Sequence, residues 1–118
     1  MFSKKTSNGF PSHNIIGPST TLMGEINSEG NFRVDGEFNG KIDILGELIV
    51  GPSGFIKGEI TAKCAEISGK VKGNMILKEV ILLKSTSEVE GDIITNKIII
   101  EEGCAFSGHC KMITNEDE

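Results

Sequence analysis

Phe55-Ile56-Lys57-Gly58-Glu59-Ile60 alternates apolar and polar side chains about a central glycine. Apolar residues at every second position are the signature of a strand that buries one side. The kernel, apolar–x–Gly–x–apolar, occurs six times: Leu22/Gly24/Ile26, Phe38/Gly40/Ile42, Ile56/Gly58/Ile60, Val71/Gly73/Met75, Val89/Gly91/Ile93 and Phe106/Gly108/Cys110. The glycines lie 16, 18, 15, 18 and 17 residues apart. Self-similarity at such a period marks a solenoid, whose units bury their apolar edges only by stacking on one another. The expectation is an all-β solenoid of about six coils.

A second strand follows in most coils, at Phe32/Val34, Leu48/Val50, Val80/Leu82 and Ile98/Ile100. Linking copies of the motif at Val34/Gly36/Phe38 and Ile67/Gly69/Val71 carry one strand into the next through a corner. Turns are marked by Gly51-Pro52-Ser53-Gly54, Ser85-Thr86-Ser87 and Glu101-Glu102-Gly103. A meander of hairpins would need a turn after every strand instead of one motif per coil. Glycine inside a strand weakens it, so its recurrence points to a bend or a close backbone approach at a corner of a narrow core.

Residues 1–19 are rich in Ser, Asn, Thr, Gly and Pro and read as a flexible tail, with Ile15 and Ile16 beginning to dock on the first coil. The solenoid is expected over residues 20–113, followed by an acidic end at residues 114–118. Aligned on the glycines, the following residues form the ladder Glu25, Lys41, Glu59, Asn74, Asp92, His109. The preceding residues form Met23, Asn39, Lys57, Lys72, Glu90, Ser107. Neighbouring coils stand about 4.8 Å apart, so opposite charges in a ladder help and like charges cost. The first ladder sets no like charges side by side; the second has one such pair, Lys57 and Lys72, relieved by Glu90.

The chain of 118 residues suits one modest domain. A net charge of −5 with a single arginine, Arg33, argues against a nucleic-acid partner. Three cysteines without a framework suit a reducing compartment. No apolar run approaches a membrane span, and the first residues lack the apolar stretch of a secretory signal, so the expected address is the cytoplasm.

The run from Ile15 to Ile42 resembles a bactofilin. The residues that carry the resemblance are Ile15-Ile16-Gly17-Pro18, Gly24-Glu25-Ile26 and Val34-Asp35-Gly36-Glu37-Phe38-Asn39-Gly40-Lys41-Ile42. The end, Ala105-Phe106-Ser107-Gly108-His109-Cys110-Lys111-Met112, and the opening Met1-Phe2-Ser3-Lys4-Lys5 are similar to the family as well. The resemblance implies a right-handed, three-faced parallel β-helix of about six windings, flanked by disordered tails. It implies a bacterial cytoskeletal protein that assembles end to end without nucleotide. It further implies attachment to the inner membrane through the N-terminal tail, and scaffolding of cell-wall enzymes in support of cell shape.

The candidate functional site is the pair of solenoid ends. A β-helix cut across its axis exposes backbone edges and an apolar cross-section, which solenoids hide with caps. The polar flanks here offer no obvious cap, so a second copy of the chain is the expected partner. The expected polymer contacts are Leu22, Ile26, Phe32 and Val34 at one end, and Phe106, Cys110 and Met112 at the other. The resemblance identifies Phe106 with the C-terminal aromatic on which bactofilin assembly depends. Met1, Phe2, Lys4 and Lys5 are the expected contacts with the inner leaflet. Burial of Phe2 is worth about 1.5–3 kcal/mol, and each lysine about 1 kcal/mol on an anionic surface. A filament displaying many tails multiplies so weak an anchor.

Alternation places Cys110 on the inner side with Phe106, as a small buried hydrophobe. On an extended strand Cys104 and Cys110 lie about 20 Å apart, too far for a disulfide or a shared metal. Catalytic, cofactor and metal residues are therefore not expected, and no phosphate-binding glycine loop points to a nucleotide. Two alternatives remain: a non-polymerising β-helical adaptor, and a left-handed β-helix acyltransferase. The second is disfavoured because the chain lacks its six-residue periodicity and a histidine in a loop between coils.

Overall fold

The computed structural model describes residues 13–113. Ten strands follow one another: β1 (His13–Ile16), β2 (Thr21–Ser28), β3 (Asn31–Val34), β4 (Glu37–Ile44), β5 (Glu47–Val50), β6 (Phe55–Ile67), β7 (Lys70–Leu83), β8 (Glu88–Thr95), β9 (Lys97–Ile100) and β10 (Ala105–Met112). Every pairing is parallel. The result is a parallel β-solenoid of about six turns, without a helix among the described residues.

Three faces form each coil. The first two are the halves of an eight-residue strand bent at the motif glycine, where φ lies between +132° and +144°. The third is a four-residue strand such as β3 or β5. β6 and β7 each run through all three faces. This frame explains the uneven glycine spacing. The strand portion of a coil is constant, and only the corners vary. Lys63 alone turns the corner where Lys78 and Glu79 both do in the next coil, and the register shifts between Ala62 and Cys64. The corner before the next coil takes two residues at Asp35-Gly36 and Ser68-Gly69, but four at Gly51–Gly54, Lys84–Ser87 and Glu101–Cys104.

The bend at Gly58 shows why the motif residue is glycine. Its φ is +141°, and a Cβ would collide with the carbonyl oxygen of Gly40 in the coil before. Side chains flanking the bend point inward in columns. Phe38, Ile56, Val71 and Val89 form one, and Ile42, Ile60, Met75 and Ile93 another; all are buried. The third face adds Leu48, Ala65 and Ile81, and Val34, Val50, Ile67 and Leu83. Among the described residues two polar side chains are buried. Thr95 donates to the Lys97 carbonyl at 3.2 Å. Ser87 donates to the Lys84 carbonyl at 2.7 Å and lies 3.1 Å from the Cys104 Sγ. Among the described residues no buried side-chain polar atom lacks a partner, as a dry narrow core requires.

The sheet begins at His13, ahead of the boundary expected at residue 20. Docking of Ile15 and Ile16 takes the form of a complete strand, β1, in register with Asn31–Val34. The ladders stack as aligned. Glu25 faces Lys41, Lys41 faces Glu59, Lys57 faces Lys72, and Lys72 Nζ lies 4.0 Å from Glu90. Further contacts between coils join Lys63 to Glu79 at 3.8 Å, Lys70 to Glu88 at 3.9 Å, and Lys84 to Glu101 at 3.5 Å. These exposed pairs add under about 1 kcal/mol each.

Candidate functional site

A helical ramp ends in a step, and each end of this solenoid has one. At the N-terminal end the outermost strands are β2 on the first two faces and β1 on the third. At the C-terminal end they are β10 and β9. The inward columns continue to these strands, and no described residue stacks beyond them. Leu22 is 43% exposed although Phe38, next in its column, is 1% exposed. Ile100 is 52% exposed, whereas Leu83 beneath it is fully buried. The same side chain on the same side of a strand is thus core in one coil and surface in the last.

The C-terminal end brings together Phe106, Cys110 and Met112 on β10. Phe106 is half-buried against Val89 and the core, whereas Cys110 and Met112 are exposed. Cys110 corrects the expectation of a buried thiol. It does lie in the inward column above Ile93, but among the described residues no coil covers it. Two contributors to this end were not assigned to it from sequence, Ile98 and Ile100 of β9. Their alternation was legible; that β9 is the last strand on its face follows only from tracing the coils, since β10 covers the other two faces.

The N-terminal end differs. Leu22 is exposed and Ile26 half-buried, as an open coil requires. Val34 does not belong to the open end: it is fully buried, because Ile16 of β1 stacks on it. Phe32 is half-buried beneath Asn14. The Asn14 side chain donates to the Ser28 Oγ at 3.3 Å and to the Asn31 carbonyl at 3.1 Å. A polar amide therefore closes part of this cross-section, while the C-terminal end stays apolar. Met1, Phe2, Lys4 and Lys5 lie outside the described residues.

Electrostatics offers little chemistry. The Arg33 guanidinium grips both carboxylate oxygens of Asp35, at 2.7 and 3.1 Å. That hydrogen bond, with the Asp35 charge, holds Arg33 above its usual value. Burial pushes the Cys64 thiol up, against the activation a nucleophile needs. His109 approaches Asp92 at 3.4 Å on open surface. Among the described residues no group of three His, Cys, Asp or Glu side chains converges on a metal-sized site. No helix among them is long and apolar enough to cross a membrane.

Similarity to known proteins agrees with this geometry. The chain is 33% identical over 102 residues to bactofilin BacO of Myxococcus xanthus, covering 86% of this chain and 81% of that protein. It is 33% identical over 98 residues to bactofilin BacP of the same organism, spanning 83% of this chain but only 41% of that protein. Among solved structures, the Thermus thermophilus bactofilin in double helical filaments aligns with a TM-score of 0.78 and 31% identity, covering 82% of this chain and 96% of that one. The cytoskeletal bactofilin BacA, solved by solid-state NMR, aligns with a TM-score of 0.78 and 29% identity over 87% and 98% of the two chains. The family model for bactofilin, described as polymer-forming cytoskeletal, matches residues 14–111. By that match the chain belongs to the bactofilin family, whose members are structural cytoskeletal proteins and not enzymes.

Proposed function

We propose that this chain polymerises end to end through its terminal coils, without nucleotide, into filaments at the inner face of the cell membrane. The observation that carries the reading is the C-terminal cross-section, left open among the described residues, where Phe106, Cys110, Met112, Ile98 and Ile100 continue the core to the surface. Stacking a second copy there removes apolar area from water at about 25 cal/mol per Å² and pairs the free edges of β9 and β10. The filaments of the Thermus thermophilus relative support the reading. In it, Leu22 and Ile26 serve the opposite contact, and Met1, Phe2, Lys4 and Lys5 meet the lipid. The filament then supports cell shape by positioning proteins of cell-wall synthesis or remodelling.

The partial closure of the N-terminal end by Asn14 favours a second reading, a subunit that pairs only through its C-terminal end and acts as an adaptor. Pelleting at micromolar concentration in low salt without nucleotide separates the two. Long polymers are expected; a discrete dimer would select the adaptor. For the membrane contact, co-sedimentation with anionic vesicles is compared with and without residues 1–5. Loss of binding on deletion is expected, and equal binding would remove the tail from the account.

A further inference from the structure

The motif glycines impose a rule on whatever stacks beside them. A Cβ on Gly40, Gly58, Gly73, Gly91 or Gly108 would run into the carbonyl of the motif glycine in the coil before, and the nearest atoms all belong to that earlier coil. Each motif carbonyl therefore admits only glycine at the matching position of the coil that follows. Gly108 is the last of the series. It stands in register with Gly91 and shares its backbone conformation, with φ +144° against +137°. Its own carbonyl thus faces the open C-terminal end and makes the same demand on any strand added in parallel register. Gly24, at the other end, makes none: a Cβ on it would meet nothing within 4 Å.

We propose that the C-terminal edge recognises extended segments of other proteins with the sequence apolar–x–Gly–acidic–apolar, added to β10 as a parallel strand, and that a bound segment stops filament growth there. This recognition rests on the open end of the proposed filament and gives that end a second class of occupant. Each position of the motif has a cause. Phe106 and Cys110 top the two inward columns, so the residues above them must be apolar. The residue above Gly108 must lack a Cβ. The next residue lies over His109, which itself stands over Asp92 and approaches it at 3.4 Å. Lys111 follows two residues on along the same outward face, with no ion pair among the described residues. An acidic side chain above His109 meets both. Ala105 and Ser107 are small and uncharged, so the outward positions of the first face set no demand.

Strand addition to a sheet edge draws its affinity from main-chain hydrogen bonds and its specificity from alternate side chains. Here the Gly108 carbonyl adds a sharper filter, because any side chain above it lifts the strand out of register. A segment of eight residues matches the length of β10 and covers the first two faces, but leaves β9 bare on the third. A whole subunit must stack on all three faces. A short segment seated on two of them therefore blocks the next subunit without offering it a complete coil. The chain's own Phe55–Ala62 has the required order, with Ile56, Gly58, Glu59 and Ile60 at the four constrained positions.

A synthetic peptide of that sequence, Phe55–Ala62, tests this against the full chain. Its binding is read by fluorescence anisotropy and its effect on filament length by negative-stain electron microscopy. The peptide is expected to bind saturably and to shorten the filaments. With Gly58→Ala in the peptide, binding is expected to weaken at least about tenfold and filament length to stay unchanged. With Glu59→Lys in the peptide, affinity is expected to fall more in low salt than in high salt. Equal binding of either variant peptide, or unchanged filament length at saturation with the original, overturns the proposal and leaves end-to-end assembly standing. If the chain alone forms no filaments, the end-to-end reading falls, and glycine-dependent binding of the peptide still upholds the recognition site.

Discussion

Gly58 and Gly24 share a conformation but not a neighbourhood. Both have φ well into the region open to glycine, yet a Cβ on Gly58 strikes the Gly40 carbonyl, whereas one on Gly24 meets nothing within 4 Å. Gly24→Ala should cost about 1–3 kcal/mol of backbone strain. Gly58→Ala adds the clash within the coil stack and should cost at least about 3 kcal/mol. Urea midpoints of the two variants check this; equal losses would show that the bend alone, and not coil contact, demands glycine. The cysteines separate by the same logic of position. At neutral pH Cys110, on the open coil, should alkylate first, and Cys64 should lag because burial raises its thiol. A thiol raised on folding stabilises the native state below the ordinary thiol value, and that contribution disappears as pH climbs through the raised one. Cys64→Ala should therefore flatten the alkaline fall in stability, measured by denaturation at successive pH values.

At the level of strands, the coil is a constant frame with variable corners. Alternation and motif spacing made the glycine-centred strands and their stacking legible, because inward and outward columns follow from parity and register alone. What parity does not show is whether another coil lies above. Val34 and Cys110 are both inward, yet Ile16 buries the first and no described residue covers the second. The strand β1 was half-legible: Ile15 and Ile16 pointed to docking, but four residues among turn-formers become a strand only by pairing with β3. The outward ladders make their own prediction. Glu90→Lys would place a third lysine in the row of Lys57 and Lys72. The loss should be under about 1 kcal/mol and should shrink in high salt, as thermal melts at two ionic strengths would reveal. A salt-independent loss of several kcal/mol would mean that Glu90 acts through packing instead.

For the whole molecule, the two ends are unequal. Asn14 partly closes one, and the other presents an apolar cross-section with Phe106 half-buried at its edge. The C-terminal contact is therefore the one on which assembly should depend most. Arginine at position 106 should leave the fold intact, because the side chain lies on the last coil, but it would place a charge where a second copy must stack. Electron microscopy of purified Phe106→Arg beside the wild type is the most direct measurement. The account predicts filaments from the wild type and folded, non-polymerising subunits from the variant. Filaments of unchanged length and abundance from Phe106→Arg would contradict it.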